Sequence, residues 1–404
     1  MDRTIPPIQL GLCCLNTVLR NPPKTGKVKP EPVFSSRSMV YKTLVKEGFS
    51  EAMNRGYRNL QDIPTMLQWN LDHRMYVFRL SSELFAHISN PDIESLPEDT
   101  WTREDGVVFR GDYRMYRKLE WCQPLLEKVG KFARDHGIRL TFHPGQFNVL
   151  GTTDKAVLEK TRIELEIHAR ILDMMGMGVD SIMVIHGGGI YMDKSQRERG
   201  AEGRIEAKYG MCPIPPVSET TGVIGRWVDN FLTMPDNVQR RLVLENCEKS
   251  YSLEDCIRVS DVLYHRTGFT KRIPVVYDTH HYSCYTILHP DETQRPVDTL
   301  MFHVMETWIS RGIKPKCHIS EQGSGKIGHH SDFVEVITPE LIDIYHKFRR
   351  IGKKIYYKSQ MTPEMIAGSS PVCIDIMIEA KAKEQAILHL HGKAEYGEAL
   401  GLEN

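Results

Sequence analysis

No two of the nine cysteines stand in a CxxC pair, and Cys13 and Cys14 are adjacent, so neither a disulfide framework nor a zinc ribbon fits. They read as reduced, packed thiols. The start, MDRTIPPIQLG, lacks the charged-then-apolar run of a signal peptide, and no stretch approaches the roughly 18 apolar residues of a membrane span. A soluble intracellular protein, cytoplasmic or nuclear, is the expectation. Net charge is absent too: 52 Lys plus Arg balance 52 Asp plus Glu, so no global field advertises nucleic acid or membrane. Any such contact has to be local. Repeats at a fixed period are missing, which excludes solenoids and propellers.

What is present is a rhythm. Short β-type runs at 8–15, 75–80, 139–143, 181–186, 242–246, 273–278, 315–319 and 372–379 alternate with helical patterns. The spacing predicts a helix over 113–134, with Leu119, Cys122, Leu125, Leu126, Val129 and Phe132 on one face, and another over 155–175 behind the cap Asp154. Strand then helix, eight times, is the arithmetic of a (β/α)₈ TIM barrel filling one domain, 1–404, with a core of about 8–385. The doubly wound alternative needs a Gly-rich first turn, and GLCCLN offers none. Long connections at about 88–112 and 187–225 read as lids.

Among 17 histidines, several sit at strand ends. His143, His186 and Glu245 end strands three to five; Asp278 and His281 end strand six; His318 and Glu379 end strands seven and eight; His330 follows in the loop after strand seven. These are the carboxyl ends, where barrel active sites are built, and no such residue recurs at the amino ends. Buried imidazoles and carboxylates crowded without cations cost several kcal/mol, so a metal site of nitrogen and oxygen ligands is the reading. Cys247 and Cys317 alternate with these ligands and should point away. Of the pairs His280/His281 and His329/His330, only one member each should face the site. The basic run Lys24 to Lys29 reads as a solvated loop.

The motifs LGLCCLN, FRLSSELFAH, FHPGQFNVL, IHGGG, LENCE, VVYDTHH, KCHIS and MIEAKAKEQ, in that order, resemble the ultraviolet-damage endonuclease family of DNA repair. That resemblance implies a TIM barrel related to endonuclease IV, three divalent ions with Mn²⁺ foremost and Zn²⁺, Mg²⁺ or Co²⁺ as alternatives, and damaged double-stranded DNA as partner. No membrane and no obligate protein partner are implied. By motif, the metal ligands are His143, His186, Glu245, Asp278, His281, His318, His330 and Glu379. A ninth is expected after RxSS, where His87 is the nearest imidazole and Asn90 stands at the ungapped position. Glu245, Asp278 and Glu379 carry over as catalytic, with Lys316 as the lysine beside the metals. Gln146, Phe147, Asn16 and Leu12 carry over to the DNA and its lesion, although the family frequently has Tyr where Phe147 and Leu12 stand. The implied reaction is a nick immediately 5′ of an ultraviolet photoproduct, leaving a 3′-hydroxyl and a 5′-phosphate. An abasic-site endonuclease, a metal-dependent sugar isomerase and a damage sensor with structural metals compete with it.

Overall fold

In the computed structural model, which describes residues 8–24, 30–343 and 374–402, every one of the eight predicted runs contains a strand. In chain order the strands are β1 (Ile8–Cys13), β2 (Val77–Arg79), β3 (Asp99–Thr102), β4 (Val108–Gly111), β5 (Arg139–Thr141), β6 (Met183–His186), β7 (Leu242–Glu245), β8 (Val275–Val276), β9 (Lys316–Ile319) and β10 (Ile374–Ile378). Among the described residues, only β3 and β4 were not anticipated. The basic residues 25–29 lie outside the described residues, as do the first two of run 372–379.

The chain divides into two units. One comprises Met1–Leu12, Gly189–Val228 and Val243–Asn404, the other Cys13–Gly188 and Asp229–Leu242. In the first, five parallel strands run side by side in the order β7, β8, β9, β10, β1, with β8 joined to β9 through the Asp278–His318 bridge. Strands β7, β9 and β10 are buried along their whole length, as parallel strands covered on both faces are. Apolar residues dominate them, so the polar Glu245, Lys316, His318 and Asp375 stand out as buried exceptions. In the second unit β2, β5 and β6 are parallel neighbours, β5 meeting β6 through the Phe142–Met183 bridge. The fold is therefore mixed α/β with parallel sheets. Among the described residues no helix is long and apolar enough to cross a membrane.

Three expectations change. The helix expected over 113–134 is broken into Tyr113–Lys118 and Gln123–Asp135, because Leu119 turns left-handed (φ 63°) and a 3₁₀ turn follows. The helix behind Asp154 forms as expected, Lys155–Met174, with the carboxylate accepting from the Ala156 and Val157 amides. The segment 88–112, expected as a long loop, carries the 3₁₀ turn Pro91–Ser95 and an antiparallel hairpin, β3 and β4, docked on the helix Tyr41–Asp72. Trp101 is buried edge-on to Trp121 at 5.4 Å and against Tyr57 at 5.3 Å. Gly48 (φ 77°) kinks that helix where the Asp99 carboxylate accepts from the Ser50 amide at 2.9 Å, and a Cβ there would strike Asp99. The segment 187–225 likewise carries structure of its own, helices Lys194–Glu198 and Ala201–Tyr209.

Candidate metal centre

In the five-stranded unit, β7 ends on Glu245, β9 carries His318, and Asp278 follows β8 as the cap of the helix Thr279–Leu288. Glu245, Asp278 and His318 are all wholly buried, and each offers a ligand atom within 4.8 Å of the others. His318 Nδ1 lies 2.9 Å from Glu245 Oε1 and 3.3 Å from Glu379 Oε1, Glu379 being the residue after β10. His281, in the first turn of the capped helix, brings Nδ1 to 3.5 Å from Glu245 Oε1. Parallel strand order thus gathers residues far apart in sequence.

Backbone carbonyls orient two of the rings. His281 Nδ1 lies 3.0 Å from the Asn246 carbonyl and His330 Nδ1 2.8 Å from that of Glu379. Donation from each Nδ1–H would fix the tautomer that leaves Nε2 as the ligand nitrogen. Within the two histidine pairs, His329 is exposed and turned to the Ser324 carbonyl at 3.3 Å. His280 is buried against Cys284 and the His330 ring, whose centroid is 5.8 Å away. Of these four rings, His281 reaches the carboxylates, with Nδ1 3.5 Å from Glu245 Oε1 and 3.8 Å from Asp278 Oδ1, whereas His330 meets the backbone carbonyl of Glu379. Cys317 is buried in β9 between the two polar residues Lys316 and His318.

The electrostatics ask for a cation. Burial, reinforced by Glu245 and Glu379, pushes the Asp278 carboxyl up to about 7 against the pull of His281. Burial drives the His318 imidazole down to about 4, leaving it neutral near pH 7. His281 goes the other way: burial disfavours its charge, yet Asp278 and Glu245 outweigh this and hold its pKa well above the ordinary value. Asp278 Oδ1 accepts from the His281 amide at 2.7 Å, while its buried Oδ2 has no hydrogen-bond partner. A buried carboxylate oxygen without a donor, beside a second carboxylate and a neutral imidazole, fits a divalent ion. Lys316 is wholly buried in β9, two residues before His318.

The second unit holds His143, just beyond β5, and His186, the last residue of β6, with ring centroids 5.1 Å apart. His87 does not join them. Its Nε2 is 2.6 Å from the Met39 carbonyl and its ring meets Tyr41 edge-on. Asn90 Oδ1 is engaged as well, accepting from the Asp92 amide to start a 3₁₀ turn. The HPGQ turn is closed by Asn148, whose side chain donates to the Gly145 carbonyl at 2.8 Å, and this leaves Gln146 exposed and Phe147 82% exposed. His87, Asn90, Gln146, Phe147, Lys160 and Glu164 line a cavity of about 440 Å³ in this unit.

Leu12 and Asn16 do not present themselves to a ligand. Leu12 is wholly buried in β1, paired in register with Ile378, because that strand is covered on both faces. Asn16 is buried as a cap, accepting from the Leu19 amide at 2.9 Å. Sequence reasoning also passed over Asn246. Its amide accepts from the Asp278 N–H at 2.8 Å and donates to the Asp278 carbonyl at 3.0 Å, so it locks together the segments that carry Glu245 and Asp278. The signal available was the Asn of LEN, directly after Glu245.

The family profile of UV-endonuclease UvdE matches residues 8–101, 110–201 and 218–399. A protein of Acanthamoeba polyphaga mimivirus, whose name assigns it provisionally to the UV-damage endonucleases, is 29% identical, covering 96% of this chain and 91% of its own. The UV-damage endonuclease of Schizosaccharomyces pombe is 27% identical over 96% of this chain, which spans only 51% of that protein. About half the length of the Neurospora crassa relative is likewise spanned. The crystal structure of SacUVDE matches with a TM-score of 0.61 at 22% identity, covering 98% of this chain and 97% of that one, which supports the fold. With the profile running through both units and through the motifs that carry Glu245, Asp278, His318 and Glu379, the chain belongs to the UV-endonuclease UvdE family.

Proposed function

We propose that this chain is a DNA repair endonuclease that nicks duplex DNA immediately 5′ of ultraviolet photoproducts by metal-dependent phosphodiester hydrolysis, leaving a 3′-hydroxyl and a 5′-phosphate. The observation that carries the reading is the buried Glu245–Asp278–His318 group, with its unsatisfied Asp278 oxygen, in a member of this family. The proposed ligand set is Glu245, Asp278, His281, His318, His330 and Glu379, with His143 and His186 added by motif. Three divalent ions, Mn²⁺ foremost, would supply Lewis acidity to the phosphate and an acidified water as nucleophile. Their charge exceeds that of the three carboxylates, which draws a phosphodiester to a globally neutral protein.

The residues themselves do the positioning. With a metal bound, the Asn246 and Glu379 carbonyls would hold neutral His281 and His330 in one tautomer, and Asp278 fixes the start of the His281 helix. Lys316 would add a buried cation beside the ligands. Exposed Gln146 and Phe147 are suited to fill the gap left when a damaged pair is unstacked, which costs less than unstacking an intact one. The cavity beside them has room for an extruded nucleotide. His87 stays in the proposal only as a lining residue of that cavity. We propose further that the eight parallel strands form a (β/α)₈ barrel of one domain, supported by their number and by the helices between them.

The test is incision of duplexes carrying one cyclobutane dimer, one 6-4 product or one abasic analogue. Cleavage beside the photoproducts supports the reading. Cleavage of the abasic duplex alone would replace it with an abasic-site endonuclease.

A further inference from the structure

The family match skips residues 202–217, and that stretch supplies a buried lysine to the interior of the five-stranded unit. Lys208, on the helix Ala201–Tyr209, is 2% exposed. Its Nζ donates to Asp255 Oδ2 at 2.8 Å and to the Tyr285 hydroxyl at 2.6 Å, with Glu292 Oε2 at 3.7 Å. Tyr285 in turn donates to Glu292 at 2.8 Å, and the neighbouring Tyr209 donates to the other Asp255 oxygen at 2.6 Å. Arg204, on the same helix, pairs with Asp291 and Glu292. Asp255 is completed by the amide and hydroxyl of Ser252.

A buried charge held by this many partners costs more to desolvate than an apolar side chain of the same size, so stability alone is a weak reason for it. Its partners supply another. Tyr285 lies four residues beyond His281 on the helix Thr279–Leu288, one turn away on the same face. Asp291 and Glu292 sit in the turn that follows that helix. The far end of the ligand-bearing helix is thereby tied to an element outside the family match, while Asp278 fixes its near end.

We infer that residues 202–217 form an added clamp and that Lys208 is a positioning residue for the metal centre, acting through Tyr285 on His281. This rests on the metal reading above. Partners one step removed from a ligand typically shift metal affinity by about 10- to 100-fold, and Lys208 is a step further out.

The direct test is calorimetric titration of metal-free protein with Mn²⁺, alongside thermal unfolding. Tyr285→Phe removes one hydroxyl, leaves the Lys208–Asp255 pair intact, and should weaken Mn²⁺ binding about tenfold with unfolding near the parent's. Its nicking deficit should disappear at raised Mn²⁺. Lys208→Met should weaken binding at least as much, and Lys208→Arg should restore most of it. Parental affinity in Tyr285→Phe, or in folded Lys208→Met, overturns the clamp; should Lys208→Met fail to fold, Tyr285→Phe decides alone. A parent that binds no Mn²⁺ overturns the metal reading and the clamp with it, whereas a binding parent with unchanged variants removes the clamp only.

Discussion

Glu245 and Asp278 place two wholly buried carboxylates together, with one histidine held charged and another held neutral beside them. Such a group binds protons when no cation is present, and the sign of its pH response follows. Asp278 holds its proton more tightly folded than unfolded, so its contribution to the stability of metal-free protein is present at low pH and is lost as pH rises through about 7. An entering ion displaces that proton. Mn²⁺ affinity should therefore rise with pH, by about tenfold per unit for each proton displaced, and a pH-independent affinity would contradict the site. Glu245→Gln keeps the volume and removes the charge. Nicking should fall by orders of magnitude while unfolding stays near normal; a variant that still cuts at the parent rate would make Glu245 structural. Phe147→Ala should lower the ratio of affinities for damaged and intact duplex by about one to two decades, since a stacked aromatic contributes about 1–3 kcal/mol per base. The ring is 82% exposed, so stability should not move, and an unchanged ratio at fixed salt would remove the wedge role. The histidines and carboxylates at strand ends were legible because residue type and strand position coincide there. The burial of Leu12 and Asn16 was not legible, because burial of a strand on both faces, and use of an Asn as a cap, depend on neighbours that the local pattern does not record.

At the scale of elements, the strands were legible from their apolar runs, whereas the hairpin β3–β4 was not. Its outward residues Val107 and Val108 are exposed, and acidic residues surround it, so the alternation that marks a half-buried strand is blurred. Trp101 is the anchor, set among Trp121, Tyr57 and Phe109. Trp101→Ala should destabilise the protein by about 3–5 kcal/mol, read as a lowered unfolding midpoint, with metal content and lesion discrimination unchanged. A change in discrimination at constant metal content would make the hairpin part of the DNA surface. The break at Leu119 escaped notice for a related reason: the apolar face continues through it, and a left-handed residue leaves no mark on hydrophobic spacing. Lys208 was equally invisible, since its partners Asp255 and Tyr285 lie 47 and 77 residues away.

For the whole molecule, the balanced charge means that attraction for DNA has to come from a local field, and the buried donor set is where bound cations would create it. Chelation should then remove both the field and the chemistry, weakening duplex binding as well as abolishing nicking. Elemental analysis of purified protein that nicks photoproduct duplexes tests this claim most directly. The account predicts about two to three equivalents of divalent transition metal per chain, lost together with nicking on chelation and regained together on adding Mn²⁺. One equivalent or none in protein that still nicks would contradict it.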